Sequence, residues 1–225
     1  MEYSRQVNIF KPDEFNTPVH VIGVGATGSW LALSLAKLGV KNIHVWDDDI
    51  VEEHNVPNQV YGVKDIGRYK VEALKEIIKE YADIDIIAHQ EKLIEQPLQG
   101  IVFVLTDTMH SRERIYRNSR VNPNIKLLIE TRMDLRGGRV YTVSPRNRDV
   151  CKAYEDTFYS DEESEVSACG VSQTVIATGL GIVSRAVWCF LAYINEYDVP
   201  FEVLDDFSNF YCISNMAKEN VWWER

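Results

Sequence analysis

The sequence has no Cys-x-x-Cys pair: its four cysteines, Cys151, Cys169, Cys189 and Cys212, stand far apart. That spacing excludes a zinc ribbon or a thioredoxin-type redox motif, and we expect no structural zinc. Sparse, unpaired thiols suit a reducing compartment, so a cytoplasmic location is expected. The first residues carry no apolar stretch, so no signal peptide is read. The chain also lacks a surplus of positive charge. Lys and Arg number 24 against 34 Asp and Glu, a formal charge of −10, which makes nucleic acid an unlikely partner. No clean membrane span is present either. The longest apolar region, Val171 to Ile194, is interrupted by Gln173, Ser184 and Arg185 and reads as a buried helix. Repeats and low-complexity tracts are absent.

What the 225 residues do contain is alternation. Val19 to Gly25 reads as a buried strand, followed by a helical pattern that ends at Gly39. Strands are expected at 42–46, 84–89, 101–106 and 126–131, with helices at 70–81 and 111–120. Residues 51–67 form an irregular connection broken by Pro57, Gly62 and Gly67. This order predicts an α/β, Rossmann-like, mostly parallel sheet flanked by helices. After residue 131 the pattern changes: a strand at 139–143, a polar and acidic stretch at 146–168 expected to be a mobile loop, the apolar helix, and a hairpin within 201–214. Additional antiparallel strands are therefore expected in the C-terminal part. The whole chain, 1–225, reads as one domain.

Gly23-x-Gly25-x-x-Gly28 falls between the first strand and the first helix. Glycines there let backbone amides approach a phosphate at a helix N-terminus. The competing reading is a tight turn needing small residues for packing. Asp47 closes the second strand, where a carboxylate can accept from ribose hydroxyls. Asp48 and Asp49 follow, and Asp48 reads as solvated. Asn55 and Gln59 lie in the irregular connection. Lys70 opens a helix, where a cation opposes the helix dipole and calls for a compensating negative group. A bound phosphate would serve, and an exposed surface lysine is the alternative. Thr106-Asp107 ends the fourth strand at the carboxyl edge, where Asp107 can hold Mg2+ or cap the next helix. The five histidines, His20, His44, His54, His89 and His110, are scattered and read as structural or exposed. Cys189 and Cys212 read as core packing, and Cys151, in the polar stretch, is given no role.

In this order and spacing the motifs resemble the ThiF/MoeB/HesA family, the ubiquitin-activating-enzyme-like adenylation superfamily, from Tyr3 to about Val143. Tyr3-Ser-Arg5-Gln6 is similar to the family's N-terminal Arg-Gln element, Gly23–Gly28 to its glycine loop, and Asp47-x-Asp49 to its acidic pair. Asn55 and Gln59 match an Asn-x-x-Arg-Gln segment, and Lys70 in Gly-x-x-Lys-Val-Glu matches the phosphate-binding lysine. Thr106-Asp107 with Arg112 is similar to the family's Thr-Asp-Asn stretch with its following arginine and metal-binding aspartate. Asn58 departs by replacing the usual arginine, for which Arg68 is the nearest substitute. Thr108 replaces the usual asparagine.

The resemblance implies ATP-dependent, Mg2+-assisted adenylation of the C-terminal carboxylate of a small ubiquitin-like or sulfur-carrier protein. Lys70, Arg5 and Asp107-bound magnesium would supply charge and Asn55 would orient a phosphate oxygen. It further implies a homodimer in which Arg5 enters the partner's site. Cys169, between the acidic stretch and the long helix, would accept the acyl group in a later step or else be a small residue at a junction. Two alternatives stand beside this reading. One is a non-catalytic nucleotide-binding scaffold, kept open by Asn58. The other is an NAD-dependent oxidoreductase, which leaves Arg5, Lys70 and Asp107 without a task.

Overall fold

A computed structural model describes residues 1–160, 175–207, 213–216 and 222–223. Its centre is an eight-stranded sheet in the order β3-β2-β1-β4-β5-β6-β8-β9. β1 (Val19–Ile22), β2 (Ile43–Trp46), β3 (Ile87–His89), β4 (Gly100–Val104) and β5 (Ile125–Met133) are parallel. β6 (Gly137–Val143), β8 (Glu202–Asp206) and β9 (Ile213–Met216) continue the sheet antiparallel. The short strands β7 (Val199–Pro200) and β10 (Trp222–Trp223) form a separate antiparallel pair. The expected fold class, with its antiparallel C-terminal addition, is what is found.

β1 and β4 are completely buried because helices cover both sheet faces, hence their continuous apolar character. α1 (Gly28–Leu38) and α2 (Lys70–Ala82) pack on each other, and α5 (Ile176–Ile194) lies against α1, β5 and β6. Right-handed crossovers put α1 and α2 on one face and α3 (Met109–Val121) on the other. The strand order runs outward in two directions from β1 and β4, so a crevice opens at their carboxyl ends. The first sheet residues and the site below share that crevice.

Several boundaries differ from the sequence reading. The stretch at 146–168 is not all loop. Arg148–Glu155 is a helix, α4, capped by the Asn147 side chain, which accepts from Asp149 and Val150 amides. Its Val150, Cys151 and Tyr154 are buried on one face, which supplies the burial an acidic composition hides. β3 covers only 87–89, because Asp83 ends α2 in a left-handed conformation and the chain is not paired until Ile87. α3 begins at Met109, two residues early, since Thr108 caps it. α5 starts at Ile176, with Val175 extended as its cap residue; the expected start at Val171 lies outside the described residues. By length and composition α5 could cross a membrane, but eight of its residues are buried in the core.

Candidate functional site

The glycine loop is fixed from three sides. The Gly23 amide donates to the Trp46 carbonyl at 2.8 Å, the Val24 amide donates to Asp47 Oδ2 at 2.8 Å, and Tyr61 Oη donates to the Val24 carbonyl at 2.8 Å. Asp47 Oδ1 also accepts from the Asp49 amide at 2.9 Å. Burial raises the Asp47 pKa, opposed by the Val24 hydrogen bond and the nearby Lys70 charge. Each Asp47 oxygen keeps a second lone pair, so a ribose hydroxyl can still be accepted.

The three glycines are not equivalent. Gly23 has φ +86°, and a Cβ there would lie 2.7 Å from the Leu105 carbonyl oxygen. A Cβ at Gly28 would run into the Gly23 carbonyl oxygen. Packing explains both. Gly25 is different: no protein atom stands within 4 Å of the position its Cβ would take. Thr27, the cap residue of α1, makes no side-chain capping bond. The leading amides of α1 thus lie next to an open glycine backbone, a combination suited to an anion.

Lys70 is not an exposed surface lysine. It is 7% exposed at the first position of α2, and its Nζ meets Asp49 Oδ2 at 2.8 Å. Asp49 is the negative group that the sequence required at this helix start. Asn55 is buried and accepts from the Glu52 amide at 2.9 Å, which shapes the 51–69 connection. That connection packs onto the first turn of α1: Trp30 Nε1 donates to the Asn58 carbonyl at 3.2 Å and the Val60 amide to Ser29 Oγ at 3.2 Å. Asn58 Oδ1 and Gln59 Oε1 are buried there without partners. Arg68, the nearest substitute for the missing arginine, is tied to Asp65 at 3.1 Å and to Glu76 at 2.6 Å. It is committed to those carboxylates.

Across the crevice, Asp107 is exposed and makes no hydrogen bond or ion pair among the described residues. Capping does not account for it, because Thr108 Oγ1 accepts from the Ser111 amide at 3.3 Å. Thr106 Oγ1 is buried without a partner. Asp107 thus has a carboxylate to offer a hard cation. Asp47, Asp48 and Asp49 also cluster, with carboxylate oxygens within 4.8 Å of one another. Two of them are already engaged by backbone or by Lys70.

A cluster that sequence reasoning missed lies behind Asp107. Glu130 on β5 is wholly buried. It accepts from Arg132 Nε at 2.7 Å, from Arg132 Nη2 at 3.1 Å and from Tyr154 Oη. Arg132 also donates to the Thr157 carbonyl at 2.8 Å and stacks on the Tyr141 ring at 4.6 Å. This ties the end of α4 to the end of β5. Arg132, Gly137, Gly138, Arg139, Tyr141 and Glu202 line part of a groove of about 760 Å³ along the antiparallel strands. The signal available in the sequence was a Glu, x, Arg at one strand end, two positions apart and hence on one face.

One predicted residue is not brought to the crevice of its own chain, and another lies outside the described residues. Arg5 is exposed and unpaired among the described residues, in a turn pinned to the far end of α1: Gln6 Nε2 donates to the Leu38 carbonyl at 2.6 Å. α1 is 11 residues long, so Arg5 lies about 16 Å along that helix from the glycine loop of its own chain. Cys169 and Cys212 lie outside the described residues, and α5 begins seven positions after Cys169. Cys151 and Cys189 are buried. Burial pushes the Cys189 thiol up to about 11. The histidines also depart from expectation, since three of them meet. His20, His44 and His89 form a stack across β1, β2 and β3, with His44 Nδ1 and His89 Nε2 3.1 Å apart.

A sequence model of the ThiF family matches residues 3–219. The Sulfur carrier protein ThiS adenylyltransferase of Escherichia coli (strain K12) is 28% identical over 67% of this chain and 65% of its own length. The NEDD8-activating enzyme E1 catalytic subunit of Arabidopsis thaliana is 28% identical over 42% of this chain and 22% of its length. The chain therefore spans less than two thirds of these relatives. Among solved structures, that of E. coli MccB with ATP aligns with a TM-score of 0.71 at 17% identity, covering 98% of this chain and 72% of that one. At that identity it supports the fold.

Proposed function

Because the chain belongs to the ThiF family, we propose that it binds ATP with Mg2+ and adenylates the C-terminal carboxylate of a small ubiquitin-like or sulfur-carrier protein. The observation that carries this reading is Lys70. Lys70 is 7% exposed at a helix start, and Asp49 takes only one of its three N–H donors, so the others are placed to meet a ligand of high negative charge. The names of the E. coli and Arabidopsis relatives, a ThiS adenylyltransferase and a NEDD8-activating subunit, support the substrate class.

In this reading the open backbone at Gly25 and the first turn of α1 receive phosphate oxygens, and Asp47 accepts from the ribose. Lys70 moves from Asp49 toward phosphate, or bridges both. Asp107 would hold Mg2+, which when bound would neutralise phosphate charge. The substrate carboxylate oxygen forms a bond to the α-phosphorus, the bond to the bridging oxygen breaks, and pyrophosphate leaves with those electrons. The protein contributes position and charge to this step and needs no covalent intermediate. Arg5 lies at the far end of α1 and would serve a second subunit of a homodimer.

Pyrophosphate–ATP exchange in the presence of a panel of small carrier proteins tests the proposal. Lys70→Ala and Asp107→Ala should each lower the rate by about 10²-fold or more, the scale of losing a main charge stabiliser. A protein that binds ATP–Mg but exchanges with no carrier would instead be a nucleotide-binding scaffold. That second reading is favoured by Asn58 and by the commitment of Arg68 to Asp65 and Glu76.

A further inference from the structure

Glu130 is one carboxylate shared by two guanidiniums. Arg132 makes two hydrogen bonds to it and Tyr154 a third. Arg112, on the first turn of α3, is 9% exposed, and its Nε stands 3.2 Å from Glu130 Oε1. That is ion-pair distance, yet the N–H is off the hydrogen-bond axis and has no acceptor. No other hydrogen bond of Arg112 is formed among the described residues through its side chain. One negative charge against two positive ones leaves a surplus cation in a poorly solvated place, with unused donors.

Its surroundings say which anion would satisfy it. Val104 pairs with Glu130 across β4 and β5, so Arg112 reaches the sheet just below Thr106 and Asp107. Thr106 Oγ1, also buried and unpartnered, is at the same strand end. The groups suited to phosphate, Gly25 and Lys70, lie on the α1 and α2 side of β1. Arg112 lies beyond β4 on the opposite sheet face. Arg132, which shares Glu130 with Arg112, lines the groove of about 760 Å³ along β5, β6 and β8. A chain lying in that groove would pass Arg132, one shared carboxylate away from Arg112, and a guanidinium suits a planar carboxylate.

We propose that Arg112, assisted by Thr106 Oγ1, is the recognition site for a peptide's free C-terminal carboxylate, holding it beside Asp107. The inference rests on the adenylation reading, and it assigns to that reaction a residue that binds the acyl substrate and not the nucleotide. Glu130 is a positioning residue: it orients Arg112 without touching substrate.

The test uses the full chain and the smallest probe with a peptide C-terminus, glycylglycine, against its C-terminal amide. Arginine side-chain ¹⁵N–¹H spectra would follow Arg112 Nε, assigned from the Arg112→Lys variant. Expected is a saturable shift with glycylglycine, absent with the amide and not produced by a non-hydrolysable ATP analogue with Mg2+ alone. Arg112→Lys should lose at least about tenfold in glycylglycine affinity, the scale of one good interaction, while its melting response to ATP–Mg stays normal. That retained response shows the variant folded. Equal shifts with acid and amide, no shift at all, or a shift with nucleotide alone would each overturn the assignment. If nucleotide fails to bind but the carboxylate shift persists, this site stands and the adenylation reading falls.

Discussion

Gly25→Ala separates a glycine kept for a ligand from glycines kept for packing. Gly23 and Gly28 face backbone that a Cβ would strike, whereas Gly25 faces open space. Its backbone is not in the left-handed region, so alanine is compatible. Gly→Ala at such a position stabilises by about 0.4–1 kcal/mol through the unfolded chain. For a chain of this size that is a rise of roughly 1–4 °C in Tm. The same methyl would displace a phosphate oxygen from the loop amides. Losing one charge-assisted hydrogen bond costs about 1.5–3 kcal/mol, or roughly 10- to 150-fold in Kd. Gly28→Ala is the contrast, because its Cβ meets the Gly23 carbonyl and the loop must shift. A loss of about 3 kcal/mol, or roughly 6–12 °C, is expected there. Calorimetric titration with ATP–Mg and thermal unfolding of the ligand-free protein give both numbers. If folded Gly25→Ala bound ATP–Mg within twofold of the parent, the open face would have no bearing on nucleotide and the reasoning would fail.

Glu130→Gln leaves Arg112 and Arg132 without their counter-charge, and chemical denaturation should show a loss of about 3–5 kcal/mol. A change below 1 kcal/mol would mean the cluster is well hydrated. Stability should also fall in mild acid. His20 is held down to about 3 by burial first and then by its histidine neighbours, and His44 and His89 are lowered by burial as well. The folded protein therefore refuses protons that the unfolded chain accepts below its ordinary pKa of 6.5. This contribution is whole above pH 6.5, and that of His20 is lost toward pH 3 at up to about 1.4 kcal/mol per pH unit. Urea unfolding at pH 7 and pH 5 reads it, and a His20→Asn protein with an unchanged slope would contradict it. For Arg5, mixed dimers of Arg5→Ala and Lys70→Ala should recover exchange in one site of two. No recovery in demonstrated mixed dimers would remove Arg5 from the reaction.

The parallel half of the sheet was legible because each strand is a short β-branched run with its own helix behind it. β1 and α1 needed no distant information. α4 was hidden because Asn147, Val150 and Tyr154 carry its signal inside an otherwise acidic stretch. The two readings of Asp107 could not be separated in sequence, since Asp107 and Thr108 are both good caps. The Thr108–Ser111 bond gives the cap to Thr108 and removes that reading of Asp107. Lys70 was recognised as needing a negative group, but its partner, Asp49, is distant in sequence. Glu130 was invisible for the same reason: a glutamate in a strand reads as surface until Arg112 and Tyr154 are folded over it. The histidine stack comes from three different strands, and its alignment is a matter of register.

Asp47 joins the second strand to the glycine loop through the Val24 amide, and to the following turn through the Asp49 amide. One side chain thus sets two pieces of backbone before any ligand arrives. A loop already held in its bound shape gives up little conformational freedom on association. Encounter need not wait for a slow rearrangement, which is what lowers association rates when binding requires a conformational change. Removing the carboxylate, as in Asp47→Ala, would then act first on how quickly nucleotide is caught, because a wandering loop presents its amides together only part of the time.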